Sequence, residues 1–217
     1  MGKRVLIPAA CALLAALCLH ACAGRQMTER QKLERHIRTI QDNNARACVA
    51  GCLAFEGDSN IELINFQEYF SEPACNYSYR GSTTKKLMER RERMEPLKPS
   101  AIVVLVGGND LLSGIRIDDI NRNYIALITY YKSICGNVYC ISNLPVAPDI
   151  CIKNSTLQLL NARLQQTCAR LGAVYVPVYS HLVKNGGLNP EYARDPVHLN
   201  RAGQDVLIGI LKKYLKK

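Results

Sequence analysis

The sequence lacks the short glycine-rich motifs that identify several large enzyme classes. It has no Gly-x-x-x-x-Gly-Lys-Ser/Thr loop, which argues against a P-loop nucleotide site, and no Gly-x-Gly-x-x-Gly, which argues against a dinucleotide site. The Gly-x-Ser-x-Gly elbow of the α/β-hydrolases is also missing. Internal repeats and low-complexity linkers are absent too. The 217 residues, 48% of them hydrophobic, suffice for one domain with a substantial core and a tail.

No apolar run is long enough to predict a permanent transmembrane helix. Lys3 and Arg4 precede an apolar run over residues 5–19, shorter than the roughly 20 residues that a spanning helix needs. Small residues follow, and this order predicts an export signal over residues 1–22. Leu19-His20-Ala21-Cys22 resembles the lipobox of bacterial lipoproteins, except at His20. Two outcomes stay open, acylation of Cys22 with membrane association or simple cleavage, so we expect a periplasmic, membrane-anchored or secreted protein.

Charge of one sign is not concentrated in any long uninterrupted block. The formal charge is +10, and only Lys3 and Arg4 are charged among the first 24 residues, so the remainder carries +8. Basic stretches are interleaved with Glu, as in residues 89–93, a spacing typical of a solvated helix face. An exported protein also meets little nucleic acid, and we predict no nucleic-acid partner.

Cysteine is abundant, but a repeated Cys-x-x-Cys is missing. Three of the ten cysteines lie in the predicted signal, and an odd number remains, which leaves at least one free thiol or an intermolecular bond. Four histidines are few for zinc sites, so we predict disulfides or buried thiols and no metal. The seven remaining cysteines are Cys48, Cys52, Cys75, Cys135, Cys140, Cys151 and Cys168.

Beyond the signal, the pattern predicts two parts. Residues 23–46 are polar and basic and predict a tether that becomes a first helix, and residues 47–217 predict one α/β domain. Apolar segments separated by helices predict a parallel sheet covered on both faces. We expect strands over residues 47–55, 101–106, 138–142 and 173–178, and helices over residues 83–95, 117–134, 155–171 and 202–216.

Polar residues follow the predicted strands, where ligands bind in a sheet of this kind. Ser59 follows the first strand, and Asp195-Pro196-Val197-His198 precedes the last helix. A serine hydroxyl is a poor nucleophile until a base takes its proton, and a histidine base needs an acceptor behind it. The pattern predicts Ser59 as nucleophile, His198 as base and Asp195 as the acid that orients it.

Acyl transfer also needs donors for the developing oxyanion. We predict an oxyanion hole from the backbone N–H groups of Ser59 and Gly81 and the side-chain amide of Asn109. Asp58 is expected to hydrogen-bond its own loop, and Asp110 to be structural. Taken singly, each motif has a plainer interpretation: a helix N-cap for Ser59, turn residues at 109–110, and a surface histidine.

Four segments, in this order, resemble the sequence blocks of the GDSL/SGNH hydrolases. They are Gly57-Asp58-Ser59, Gly81, Gly108-Asn109-Asp110 and Asp195-x-x-His198. Segments 98–101, 143–145 and 198–203 extend the resemblance over about residues 48–215. The resemblance implies a three-layer α/β/α, flavodoxin-like fold with a central parallel sheet. It also implies a Ser–His–Asp triad, the same oxyanion hole, and neither metal nor cofactor.

The resemblance further implies a serine esterase that hydrolyses carboxylic esters through an acyl-serine. Short connections favour a small acyl group, and we rank O-acetyl esters of glycans first. A basic surface near a membrane favours the alternative of lysophospholipids or thioesters with longer acyl chains. Transfer to a sugar hydroxyl and a non-catalytic glycan- or lipid-binding module are further alternatives. The expected partner is therefore a small-molecule, glycan or lipid ester.

The chain departs from the family pattern on both sides of the Gly-Asp-Ser block. Glu56 stands where an apolar residue is usual, and Asn60 where an apolar residue or Thr is common. We expect Glu56 to place a charge near the site and Asn60 to add a polar contact. Neither change removes a catalytic atom, so the departures bear on substrate preference.

Overall fold

The computed structural model describes residues 27–215. The predicted export signal and Cys22 lie outside the described residues. The chain divides into two compact units, Met1–Arg38 and Thr39–Lys217. The described part of the first unit is the beginning of helix α1 (Glu29–Ala47) and the two residues before it. Within residues 27–215, every helix is too short or too polar to cross a membrane. The predicted domain limits at residues 22 and 46 stay predictions.

A five-stranded parallel sheet forms the centre of the second unit, in the order β2-β1-β3-β4-β5. The carboxyl ends of all five strands therefore lie at the same edge of the sheet. A short antiparallel pair, β6 and β7, stands apart from it. In chain order the strands are β1 (Leu53–Gly57), β2 (Ala74–Asn76), β3 (Ala101–Leu105), β4 (Val138–Ile141), β5 (Val174–Val176), β6 (Val183–Lys184) and β7 (Gly187–Leu188).

Helices cover both faces of the sheet. Alternate side chains of a strand point to opposite faces, so Val103 of β3 packs in a core with α7, and Val104 packs in a second core with α3, α5 and α6. The remaining helices are α2 (Ser59–Glu62), α3 (Thr84–Arg90), α4 (Gly108–Leu112), α5 (Ile117–Ile134), α6 (Asn154–Leu171) and α7 (Arg201–Leu215). The predicted three-layer α/β/α fold with a central parallel sheet is confirmed.

The bounds of two predicted helices are confirmed and those of a third are corrected. Helix α5 has the predicted ends, and α6 begins one residue earlier than predicted and ends at the predicted Leu171, where Gly172 caps it in the left-handed conformation with a φ of +66°. The helix predicted over residues 83–95 ends at Arg90, and a 3-10 helix continues over Arg91–Leu97. Pro96 lacks an N–H and its ring clashes with the carbonyl four residues earlier, which disfavours the α-helical path there.

The first strand begins later than predicted, and one strand was not predicted. Gly51 has a φ of +81°, which turns the chain, so β1 starts at Leu53 and not at residue 47. The edge strand β2 has three residues and pairs in parallel with β1. Three residues are too few to show a periodic pattern, and the pairing depends on the neighbouring strand.

The cysteines include both predicted kinds. A disulfide joins Cys48, just after α1, to Cys75 in β2. The free cysteines of the described residues are mostly buried, and Cys151 is exposed. The buried free thiols are Cys52, Cys135, Cys140 and Cys168.

Candidate active site

The carboxyl end of β1 turns sharply into α2 and carries Ser59. A Cβ on Gly57 would lie 2.4 Å from the carbonyl oxygen of Leu105, so only glycine lets β1 stay against β3 at this point. Asp58 is the N-cap of α2, and its carboxylate accepts a hydrogen bond from the backbone N–H of Asn60 at 3.0 Å. The N-cap interpretation of Ser59 is therefore wrong. As the first residue of the helix, Ser59 has a backbone N–H without an intrahelical acceptor.

Ser59, His198 and Asp195 form a continuous chain of hydrogen bonds. The Oγ of Ser59 lies 2.9 Å from Nε2 of His198. Nδ1 of the same ring lies 2.9 Å and 2.8 Å from the two carboxylate oxygens of Asp195. Both histidine and aspartate are partly buried, and the serine and histidine are 139 residues apart in the sequence. This arrangement lets the imidazole take a proton from the hydroxyl while the carboxylate holds its other nitrogen.

The loop that carries Asp195 fixes its carboxylate. Oδ1 accepts hydrogen bonds from the backbone N–H groups of Val197 at 3.0 Å and His198 at 2.8 Å. Partial burial disfavours the charged carboxylate. The Val197 N–H, the His198 ring and the His198 N–H outweigh that effect, so the pKa of Asp195 lies below its ordinary value. Asp195 is therefore ionised at neutral pH and oriented before any substrate arrives.

Asn60 connects the serine turn to the histidine loop. Its side-chain amide donates to the carbonyl oxygen of Val197 at 3.1 Å, and its side-chain oxygen accepts from the N–H of Leu199 at 3.1 Å. These two backbone groups lie on either side of His198. The sequence predicts a polar contact from Asn60, and the structure shows that its partner is the main chain of this loop.

Two of the predicted oxyanion donors, Gly81 and Asn109, lie on segments that are hydrogen-bonded to each other. Gly81 has a φ of +67° and is exposed, in the loop between β2 and α3. The side-chain amide of Asn109, in α4, donates to the carbonyl oxygen of Ser82 at 3.0 Å. The backbone N–H of Tyr79 donates to the carbonyl oxygen of Gly57 at 3.1 Å, which fastens this loop beside the end of β1. Asn109 has a second amide hydrogen for an oxyanion.

A buried ion pair lies behind this loop. Glu56 is fully buried in β1, and its Oε1 accepts from Nε of Arg90 at 2.8 Å. Nη2 of Arg90 also donates to the hydroxyl of Ser82 at 2.9 Å and approaches the carbonyl oxygen of Gly57 at 3.4 Å. The prediction that residues 89–93 form a solvated face is wrong for Arg90, whose side chain is only 16% exposed. A buried carboxylate needs a partner, so a glutamate within the apolar segment of the first strand is the feature of the sequence that indicates this ion pair.

Two aspartates near the site have structural contacts, as predicted. Asp110 is buried and accepts hydrogen bonds from the backbone N–H and hydroxyl of Thr84, which joins α4 to α3. Asp58 is buried, and burial raises its pKa to about 7. Burial likewise raises the pKa of Glu56 to about 7, although Arg90 opposes that shift.

No cluster of three or more metal-ligating side chains occurs in the described part of the chain.

A family profile described as "GDSL-like Lipase/Acylhydrolase family" matches residues 64–206. The match includes Gly81, Asn109, Asp195 and His198 and begins after Ser59. The assignment of Ser59 therefore rests on its sequence block and its contact with His198, not on the profile.

Solved structures share the fold over most of their length. A candidate acylhydrolase from Bacteroides fragilis is 25% identical, with a TM-score of 0.72 over 82% of this chain and 94% of its own. A GDSL-like lipase from Bacteroides thetaiotaomicron is 23% identical, with a TM-score of 0.69 over 83% and 97%. An acetylxylan esterase from Geobacillus stearothermophilus is 16% identical, with a TM-score of 0.64 over 76% and 95%. The last two similarities show the fold alone.

Curated relatives match a shorter share of their own length. The N-acylneuraminate cytidylyltransferase of Streptococcus agalactiae is 23% identical over 154 residues. The aligned region is 70% of this chain and 35% of that protein, so the chain spans about a third of the length of these relatives.

Proposed function

Because the chain belongs to the GDSL-like lipase/acylhydrolase family, we propose that it is a serine esterase that hydrolyses carboxylic esters through an acyl-serine. The observation that carries the proposal is the hydrogen-bonded chain from Ser59 through His198 to Asp195, with a Ser59 Oγ to His198 Nε2 distance of 2.9 Å. This geometry is what general-base activation of a serine requires.

In the proposed reaction, the Oγ of Ser59 attacks the ester carbonyl carbon and its proton passes to Nε2 of His198. Asp195 stabilises the imidazolium through Nδ1. The carbonyl oxygen becomes an oxyanion that accepts hydrogen bonds from the N–H groups of Ser59 and Gly81 and the amide of Asn109. His198 then gives its proton to the departing alcohol, which leaves an acyl-serine. Water, deprotonated by His198, attacks the acyl carbon and releases the acid and the serine.

We rank an O-acetyl ester of a glycan first among substrates. Short connections around the site support a small acyl group, since only residues 106–116 separate β3 from α5. Tyr79, a residue that is 61% exposed, lies two residues before Gly81 and offers an exposed aromatic ring on the loop that carries this donor. The fold shared with an acetylxylan esterase gives the ranking further support.

We also propose that the protein acts outside the cytoplasm. The charged, apolar and small segments over residues 3–24 support export, and the Cys48–Cys75 disulfide suits an oxidising compartment. Mass measurement of the mature protein tests both parts. An acylated Cys22 would identify a membrane-anchored form, unmodified cleavage would identify a released one, and a retained residue 1 would contradict export.

The test of the enzyme is hydrolysis of 4-nitrophenyl esters, acetyl through dodecanoyl, by the wild type and its Ser59→Ala variant. We expect turnover with the wild type, a maximum at acetyl, and a loss of about 10³-fold or more in kcat for the variant. A maximum at long chains would favour the lysophospholipase alternative. Equal rates for the two folded proteins would show that Ser59 is not the nucleophile.

A further inference from the structure

The proposed nucleophile and base come from distant parts of the chain, so their distance must be set by contacts between two segments. Ser59 starts α2, and His198 lies on the loop before α7. Their side chains are 2.9 Å apart. A misplacement of about 1 Å in reacting groups can cost about 100-fold in rate. A contact that fixes the serine turn to the histidine loop therefore has a direct effect on catalysis.

Several contacts hold the histidine loop to itself. The carboxylate of Asp195 accepts from the N–H groups of Val197 and His198, and the N–H of Arg194 donates to the carbonyl oxygen of His198 at 2.8 Å. These bonds fix the shape of the loop and the orientation of the imidazole. They involve residues 194–198 alone, so they do not set the position of the loop relative to Ser59.

The side chain of Asn60 makes that connection with both of its polar atoms. It donates to the carbonyl oxygen of Val197 and accepts from the N–H of Leu199, each at 3.1 Å, so it holds the main chain before and after His198. Its own backbone N–H donates to Asp58, which keeps it on the turn that presents Ser59. Leu199 is buried, so the far side of this contact is anchored in the core.

We propose that Asn60 is a positioning residue that sets the distance between nucleophile and base by fastening the main chain on both sides of His198 to the Ser59 turn. The inference rests on the proposed esterase function. An amide suits this task because it carries a donor and an acceptor on one rigid group, whereas an ionised carboxylate only accepts and an aliphatic side chain does neither.

The experiment compares full-length wild type with Asn60→Ala, Asn60→Asp, Ser59→Ala and a matched control, Asn137→Ala. The side-chain amide of Asn137 also donates a hydrogen bond to a backbone carbonyl oxygen, that of Ser100, at 3.2 Å. Asn137 precedes β4, however, at the opposite edge of the sheet from the site. Thermal unfolding verifies that each variant is folded. The substrate is 4-nitrophenyl acetate, and kcat and KM are determined separately.

A second probe reports the serine directly. Diethyl 4-nitrophenyl phosphate phosphorylates an activated serine: the Ser59 O–P bond forms, the bond from phosphorus to 4-nitrophenolate breaks, and the serine proton passes to His198. The mass of the modified protein gives the rate, and peptide mapping gives the site. We expect Asn60→Ala to lower kcat and the phosphorylation rate by a similar factor, about 10- to 100-fold, with KM nearly unchanged. Asn137→Ala should behave as wild type.

The Asn60→Asp variant adds a readout that loss of structure alone would not give. This variant keeps an acceptor for the N–H of Leu199 and loses the donor to the carbonyl oxygen of Val197. It also adds a carboxylate near the imidazole of His198. That imidazole already faces Asp195, whose Oδ2 lies 3.4 Å from Nη2 of Arg194. Added negative charge favours the imidazolium. We expect the acidic limb of the kcat/KM profile to move to higher pH, and no such shift for Asn137→Ala.

The outcomes separate the two proposals. A wild type that neither hydrolyses the ester nor is modified at Ser59 would overturn the esterase and the role of Asn60 together. A wild type that does both, with Asn60→Ala within twofold of it in both rates, would overturn the role of Asn60 alone. If Asn60→Ala unfolds at a much lower temperature than wild type, the decision passes to Asn60→Asp, which lacks the donor to Val197, and a kcat within twofold of wild type in this variant would contradict the positioning role.

Discussion

Asp195 illustrates how single residues in this site serve both structure and the proposed chemistry. One of its oxygens accepts two backbone N–H groups, and both oxygens lie within 3 Å of the histidine Nδ1. The backbone bonds alone would keep an uncharged side chain in place. The charge itself is needed only to hold the ring in the right tautomer and to stabilise the imidazolium.

We therefore expect Asp195→Asn to lower kcat by about 10³- to 10⁴-fold with little change in thermal stability. The amide oxygen can still accept from the Val197 and His198 N–H groups, but its NH₂ favours the wrong tautomer of the imidazole. The matched control is Asp205→Asn, an exposed residue in the second turn of α7 that contacts Arg201 and Tyr69. Nearly full activity in Asp195→Asn would remove Asp195 from the mechanism.

Two glycines give opposite predictions for the same substitution. A Cβ at Gly57 would press on the carbonyl oxygen of Leu105 at 2.4 Å, so we expect Gly57→Ala to destabilise the fold by about 1–3 kcal/mol and to reduce ester hydrolysis. Gly209 lies in the exposed part of α7 with nothing within 4 Å of its Cβ position, so Gly209→Ala should stabilise by about 0.5–1 kcal/mol. Urea unfolding of both variants measures the difference, and an unchanged midpoint for Gly57→Ala would contradict the steric argument.

At the scale of elements, the β1 strand and the α3 helix are joined by charge inside the core. Glu56 of β1 and the last residue of α3, Arg90, form the pair, and Arg90 extends it to Ser82 in the loop before α3. The pair thus links a strand, a helix and the loop that carries Gly81. Removing one partner leaves the other charge buried without compensation, which is costlier than removing both.

We expect Arg90→Met to destabilise the protein by about 3–5 kcal/mol at pH 8, where the pair is ionised in the wild type, and by less at pH 5, where Glu56 is already protonated. The double variant Glu56→Leu with Arg90→Met should recover most of this loss because no buried charge remains. Chemical unfolding of the single and double variants at both pH values gives the comparison. Single and double variants of equal stability would show that the buried charge is not the source of the effect.

For the molecule as a whole, the buried carboxyl groups of Glu56 and Asp58 predict how stability varies with pH. Burial raises the pKa values of Glu56 and Asp58 to about 7, whereas both titrate near 4 in an unfolded chain. Between these values the folded protein binds more protons than the unfolded chain. The free energy of unfolding therefore falls as pH rises from about 4 through 7, and the contribution of these groups is lost above that range.

We expect the free energy of unfolding to be lower at pH 8 than at pH 5, with each group contributing on the order of 1–3 kcal/mol to the difference. The contribution of Asp195 to the free energy of unfolding changes with pH in the opposite direction. Its pKa is lowered, however, so this change falls below the range between pH 5 and pH 8. In Glu56→Gln one of the two groups no longer titrates, and the difference between pH 5 and pH 8 should shrink. An equal difference in wild type and variant would show that Glu56 does not titrate in this range.

The sequence by itself determined the fold class and the candidate site residues. Alternating apolar segments and helices predicted the parallel sheet because each pattern specifies how much of an element is buried. The ordered blocks around Ser59, Gly81, Asn109 and Asp195-x-x-His198 identified the candidate residues. Turn glycines, capping residues and short loop motifs are local, and local preferences are readable along the chain.

Only the tertiary structure decided which segments meet and which charges are buried. The three-residue strand β2 exists because β1 pairs with it, and Cys48 bonds to Cys75 because α1 ends beside that strand. Arg90 occurs in a run that is typical of an exposed helix, yet it is buried because Glu56 comes from another element. Asn60 bonds to a loop more than 130 residues away. Such contacts depend on how elements are arranged in space, which no local pattern specifies.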